Sequence, residues 1–187
     1  MNLVEEAILF ATEAHCGQMR KSVKTPYILH PMEVANICAT ITTDQEVLAA
    51  AILHDTVEDT DVTLDQLRQR FGERVAMLVD SETEKPHPEL PRAVSWALRK
   101  EEALRTLEQT TDLGVKILWL GDKLSNVRSF YRQWLVHGHG LWAALNQRDP
   151  ARQAWYYRRI VTLLEDLKDT LAWQELRYDV EQIFRDV

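Results

Sequence analysis

The sequence predicts an all-α fold, a single-domain helical bundle over residues 1–187. Apolar residues recur at helical spacing along most of the chain. No run shows the sustained apolar/polar alternation of a strand. Neither an internal repeat nor a low-complexity segment interrupts the pattern. Leu3, Ala7, Phe10, Ala11 and Ala14 form the apolar stripe of a first helix. Val34, Ile37, Cys38 and Ile41 form a second, expected to start after Pro31. Asp44 suits the N-cap of a helix through Ile52, whose run Val47-Leu48-Ala49-Ala50-Ala51-Ile52-Leu53 reads as buried. A short helix follows from Thr63-Leu64-Asp65-Gln66 to Arg70, Phe71-Gly72 breaks it, and another runs from Glu73 to about Ser81.

Lys85-Pro86-His87-Pro88-Glu89-Leu90-Pro91 is a loop, because its prolines cannot donate to a helix ladder. A helix is expected from Ser95 to Gln109, then a long buried one through Val115, Ile117, Leu118, Leu120 and Leu124. Gly138-His139-Gly140 punctuates the chain. Pro150 fits the first turn of a helix carrying Trp155, Ile160, Leu163, Leu164 and Leu167. Leu176, Val180, Ile183 and Phe184 mark the last.

Bulk properties narrow the function classes. The 187 residues suffice for one domain with a substantial core. With 22 Lys+Arg against 29 Asp+Glu, the net charge of −7 argues against a nucleic-acid binder. A local basic pocket for a phosphorylated small molecule remains compatible with it. Cys16 and Cys38 form no disulfide framework and fit a reducing compartment. The N-terminus carries no secretory signal pattern, and no run reaches the roughly 18 apolar residues of a membrane span. A cytoplasmic protein with no membrane partner is expected.

The densest chemistry lies in Leu53-His54-Asp55-Thr56-Val57-Glu58-Asp59-Thr60. On one continuous helix His54 would sit over Glu58 and Asp55 over Asp59. Charge packed beside an apolar helix is costly unless something satisfies it, and a divalent cation is the natural candidate. Two further segments offer ligands. His30 ends Tyr27-Ile28-Leu29-His30 and is expected just before a helix. Asp122 interrupts the apolar run Ile117-Leu118-Trp119-Leu120, where an unpaired carboxylate would be expensive. Two His and two Asp make a nitrogen/oxygen set suited to manganese, iron or zinc.

His30, then His54-Asp55, then Asp122 resembles the H…HD…D signature of HD-domain metal-dependent phosphohydrolases. The likeness extends to Ala14-His15-Cys16-Gly17-Gln18-Met19-Arg20-Lys21 and Pro26-Tyr27-Ile28-Leu29-His30-Pro31, which look like the opening of the RelA/SpoT-type hydrolase domain. His54-Asp55-Thr56-Val57-Glu58-Asp59-Thr60 is similar to that family's HD-plus-ED motif, and Asp122-Lys123-Leu124-Ser125-Asn126-Val127-Arg128 to its D[KR]LxNxR motif. The resemblance runs from about Ala7 to Phe184 and leaves no space for a synthetase domain. It therefore implies a stand-alone small alarmone hydrolase.

That resemblance implies roles residue by residue. His30, His54, Asp55 and Asp122 would hold one Mn²⁺. Glu58 and Asp59 would be the catalytic acid/base pair that positions and deprotonates water or assists the leaving group. The expected reaction converts (p)ppGpp to GDP or GTP plus pyrophosphate, lowering alarmone levels in the stringent response. Arg20, Lys21 and Lys24 precede His30 and suit substrate phosphates. Asn126, one turn after Asp122, would contact the nucleotide. Ser129 stands where many members have Thr, and Lys123 and Arg128 are secondary contacts. The substrate is a guanosine nucleotide, and a homodimer is compatible with the reading.

Departures from the family pattern bear on base and phosphate selectivity. The loop from Arg20 to His30 is about one residue longer than the commonest bacterial pattern. Ser81-Glu82-Thr83-Glu84-Lys85 replaces a G-V-T-K-like run, with Thr83 keeping its hydroxyl. Among other polar residues, His15 reads as a structural hydrogen-bonding histidine, His87 as a loop residue, and His137 and His139 as a turn. Trp155, Tyr156 and Tyr157 read as core or interface residues, and Cys16 and Cys38 as small buried groups. Two other functions compete. One is the same metal site acting on an adenosine alarmone or the 2′-phosphate of NADPH; the other is an alarmone sensor without turnover. Sensors of that kind usually lose ligands or the Glu-Asp pair, and a purely structural adaptor gives no reason to bury Asp122.

Overall fold

Local capping signals set the helix boundaries in the computed structural model, which describes residues 1–20, 24–145 and 147–187. Asn2 accepts from Glu5 N while the Glu5 carboxylate accepts from Asn2 N, a reciprocal box that starts α1 (Leu3–Ala14). α2 spans Leu29–Ala39. Asp44 accepts from Glu46 N and caps α3 (Gln45–Leu53). The one-turn helix α4 (Thr56–Asp59) follows. Thr63 and Gln66 form a second capping box at α5 (Leu64–Phe71). Gly72, at φ 93°, occupies a conformation open to glycine and turns the chain into α6 (Glu73–Glu82).

After the proline loop come α7 (Arg92–Gln109) and α8 (Leu113–His137). A short 3-10 turn, Gly138–Gly140, precedes α9 (Leu141–Ala144). Asp149 caps α10 (Pro150–Leu163), with proline in the first turn where its missing N–H costs nothing. A second 3-10 turn (Glu165–Leu167) leads to α11 (Leu171–Ile183), capped by Thr170. Among the described residues there is no strand, only an isolated antiparallel bridge between Met19 and Pro26.

The chain divides into two compact units, Met1–Thr83 with Thr111–Asp122, and Glu84–Thr110 with Lys123–Val187. In the first, α3 is the central helix, packed by α1, α2 and α6. Its Ile52 and Leu53 are fully buried, each contributing roughly 1.5–3 kcal/mol. The start of α8 is tied to α6 by a forked ion pair from Arg74 to Asp112, while Asp112 Oδ1 also accepts from Gly114 N at 2.8 Å. In the second unit, Tyr157 and Phe184 stack at 6.2 Å beside buried Ile160, Leu176 and Val180.

Several expectations change. α2 begins two residues before Pro31, because Pro26 and Tyr27 carbonyls accept from Leu29 N and His30 N and start the helix early. α7 begins at Arg92, straight after Pro91, and not at Ser95. Cys16 is exposed in the turn after α1, beside Gly17 at φ 77°. Trp155 is 40% exposed, since Tyr156 and Tyr157 occupy the buried face of α10. The Thr83 hydroxyl closes the end of α6 by donating to Val79 O at 2.9 Å. Glu84, next in that atypical segment, is held by Lys100 and by Arg99 at 2.8 Å. These cations outweigh its burial and keep its carboxyl below the usual range. No helix is long and apolar enough to cross a membrane among the described residues.

Candidate metal centre

Four helices bring the predicted ligands together, all of them residues of the first unit. His30 lies in the first turn of α2, His54 at the C-cap of α3, Asp55 at the N-cap of α4, and Asp122 on α8. Asp122 Oδ1 stands 3.0 Å from His30 Nε2 and 3.6 Å from His54 Nε2. Asp55 Oδ2 stands 3.0 Å from His54 Nε2 and 3.5 Å from His30 Nε2. Two imidazole nitrogens and two carboxylate oxygens thus face one another. His30, His54 and Asp122 are all buried, and their donor atoms lie within 4.8 Å of one another.

Gly121 makes this convergence sterically feasible. A Cβ there would meet Cys38 Sγ at 2.6 Å and Val34 O at 3.1 Å. Only glycine lets the α8 backbone approach α2 so closely at the residue before Asp122. Cys38 adds a weak hydrogen bond to Ile117 O at 3.4 Å.

The His-Asp/Glu-Asp tetrad is not one continuous helix. The chain bends at Asp55, at φ −91° and ψ −4°, where Thr56 Oγ1 takes the Leu53 carbonyl at 2.7 Å. The one-turn relation survives for half of it, with Asp59 N donating to Asp55 O at 2.9 Å. The bend leaves His54 buried while Glu58 and Asp59 are exposed. The tetrad is therefore split between interior and solvent.

The donor set fits a divalent cation. His54 Nδ1 donates to Ala51 O at 2.8 Å, which presents the other ring nitrogen to the cluster. That Nε2 is buried and has no aligned hydrogen bond, despite the two carboxylates nearby. Burial alone would lower the His54 pKa, but the nearby charges of Asp55 and Asp122 raise it well above its ordinary value. Burial would raise that of Asp55, and His54 with His30 holds it below the usual carboxylate range. A cluster that draws positive charge onto a buried imidazole is suited to a cation in the same place.

Tyr27 is a participant whose role the sequence did not disclose. Its hydroxyl donates to Asp55 Oδ2 at 2.6 Å, with the charge of Asp59 also acting on it. Burial, and then the charges of those carboxylates, raise its pKa far above its ordinary value, so it remains a donor. The available signal was its place three residues before His30. His15 acts structurally: its Nδ1 donates to Gln18 Oε1 at 2.8 Å, and Gln18 Nε2 donates to Asp59 O at 2.8 Å.

The remaining predicted residues are less concentrated. Arg20 is half-buried and Lys24 exposed, in the loop that the Met19–Pro26 bridge closes. Lys21 lies outside the described residues. Lys123 and Ser129 are buried on α8, and Asn126 is half-buried one turn after Asp122. Arg128 is forked onto Glu175 at 2.6 and 2.7 Å, an engagement its motif did not foretell. His137 and His139 are exposed, and His87 pairs with Glu102 at 3.0 Å.

The HD domain family matches residues 7–151. A human protein named guanosine-3′,5′-bis(diphosphate) 3′-pyrophosphohydrolase MESH1 is 44% identical over 130 residues, covering 68% of this chain and 69% of that one. A protein of the same enzymatic name from Aquifex aeolicus is 38% identical over 130 residues, but the chain spans only 18% of its length. A solved structure described as a metazoan ortholog of SpoT that hydrolyzes ppGpp superposes with a TM-score of 0.71 at 26% identity, covering 99% of this chain and 95% of that one. The motifs, the all-helical fold and these likenesses agree: the chain belongs to the HD domain family, in the RelA/SpoT-related group that includes the MESH1 hydrolases.

Proposed function

We propose that this protein is a Mn²⁺-dependent guanosine-3′,5′-bis(diphosphate) 3′-pyrophosphohydrolase, acting in the cytoplasm through one hydrolase domain over residues 1–187. The observation that carries the proposal is the meeting of His30, His54, Asp55 and Asp122 donor atoms at 3.0–3.6 Å, with the Glu58-Asp59 pair one turn beyond. The activity named for the human and Aquifex aeolicus relatives supports it.

His30, His54, Asp55 and Asp122 would hold one Mn²⁺, which when bound would supply a water of lowered pKa and a Lewis acid for a phosphoryl oxygen. Glu58 and Asp59 stand at the exposed edge of the cluster, where they orient a water and accept its proton. The water oxygen bonds to the phosphorus attached to the ribose 3′ oxygen. The bond from that phosphorus to the 3′ oxygen breaks, and the proton passes to the departing oxygen. GDP or GTP and pyrophosphate result. Arg20, Lys21 and Lys24 supply charge for the substrate phosphates, while Lys123, Asn126 and Ser129 supply polar contacts along α8.

Metal-stripped protein reloaded with single metals tests the proposal against ppGpp, an adenosine alarmone and NADPH. Phosphate and pyrophosphate are measured separately. Mn²⁺ should restore pyrophosphate release from ppGpp. Phosphate from NADPH alone would reassign the substrate, and tight ppGpp binding without turnover would make the protein a sensor.

A further inference from the structure

We propose that Tyr27 is a positioning residue of the metal centre, whose hydroxyl fixes the Asp55 carboxylate as a ligand. The inference rests on the metal-centre reading above and deepens it. Tyr27 donates to Asp55 Oδ2 at 2.6 Å, and this is the same oxygen that faces His54 Nε2 at 3.0 Å and His30 Nε2 at 3.5 Å. A carboxylate oxygen has two lone-pair directions, so a phenol hydrogen and a cation can share it. The hydroxyl therefore selects which Asp55 oxygen faces the histidines and holds the carboxylate plane.

The phenol is itself held. Its ring packs against His15 at 5.0 Å between centroids and edge-on to His30 at 6.0 Å. Tyr27 N donates to Gln18 O at 2.9 Å, and the Gln18 amide reaches the Asp59 carbonyl at 2.8 Å. Asp59 is thus fixed through its main chain by the same segment that presents the Tyr27 hydroxyl.

Groups that orient metal ligands typically change metal affinity or activity by about 10- to 100-fold when removed. Tyr27→Phe deletes the hydroxyl and keeps the ring between the imidazoles. Mn²⁺ titration of the stripped protein by calorimetry should show a dissociation constant raised by about 10-fold or more. At saturating Mn²⁺, kcat for ppGpp should fall while KM stays within about 2-fold, and circular-dichroism melts of the metal-free protein should remain close to the unaltered chain. A Tyr27→Phe protein that binds Mn²⁺ as tightly as the unaltered one overturns the proposal, whether or not ppGpp is hydrolysed. Because the affinity needs no substrate, a wrong substrate assignment leaves this reading intact. Tyr27→Leu, which also removes the ring, gives a second measurement if the first variant folds poorly. It should weaken Mn²⁺ at least as much, and unchanged affinity would again overturn the idea.

Discussion

Gly121 on α8 lies so close to Cys38 on α2 that a methyl group on its Cα would stand 2.6 Å from the sulfur. The thiol is buried, and burial followed by the charges of Glu82 and Asp122 pushes its pKa up to about 12. It is therefore an uncharged packing group at the closest approach of two ligand-bearing helices. For Gly121→Ala, helix propensity favours alanine by about 1 kcal/mol. Overpacking costs about 1–3 kcal/mol, and the backbone carbonyl of Val34 at 3.1 Å limits relaxation. The clash should win, with a net loss on the order of 1–2 kcal/mol and weaker Mn²⁺ binding. Thermal melts and metal titration check this. Adding Cys38→Ala should recover part of the stability, and failure to do so would exclude the thiol as the obstacle.

Metal loading should stabilise the folded chain by mass action. At 100 times the dissociation constant the gain is about 2.7 kcal/mol. For a protein of this size that corresponds to a rise in Tm of roughly 5–10 °C. Asp122→Ala removes a buried carboxylate that faces both His30 and His54. It should abolish the Mn²⁺-dependent rise and the activity together. Differential scanning calorimetry with and without Mn²⁺ decides; a rise that persists in Asp122→Ala would place the cation elsewhere.

Glu58 should behave differently, because it is exposed and stands outside the ligand cluster. Glu58→Gln keeps the shape and removes the basic carboxylate. The expected result is Mn²⁺ affinity within about 2-fold of the unaltered chain and kcat lowered by about 10²- to 10⁴-fold. Parallel titrations and initial rates on one preparation separate the two effects. Equal losses of affinity and rate would make Glu58 a ligand instead.

Much of this was legible in the sequence because local rules govern it. The caps Asp44 and Thr63, the break at Gly72 and the first-turn Pro150 each act within a few residues. The convergence of His30, His54 and Asp122 was open to anticipation because burying Asp122 beside Leu120 and Leu124 needs a chemical reason. Other features depend on contacts distant in the chain. The bend at Asp55 follows from a threonine hydroxyl taking a carbonyl, which periodicity cannot register. The Tyr27 hydroxyl meets Asp55 across 28 residues, and Arg128 meets Glu175 across 47. Trp155 shares an aromatic run with Tyr156 and Tyr157, so composition alone could not say which of the three faces water.

Asp179 on α11 provides a pH dependence away from the metal centre. It is 5% exposed. Burial first, then the charge of Glu175, raises its pKa from 3.8 to about 6, with Arg128 opposing. The folded chain therefore binds this proton more tightly than the unfolded chain does. Between about pH 4 and pH 6 the folded state carries more protons at Asp179, so stability falls as pH rises through that window. Above both values the loss is complete, on the order of 2–3 kcal/mol. Asp179→Asn carries no ionisable group and fills nearly the same volume. Urea midpoints from pH 4 to pH 7 should decline less for Asp179→Asn than for the unaltered chain, and the variant should be the more stable of the two at pH 7. Parallel curves across that range would show that Asp179 titrates as an ordinary surface carboxylate.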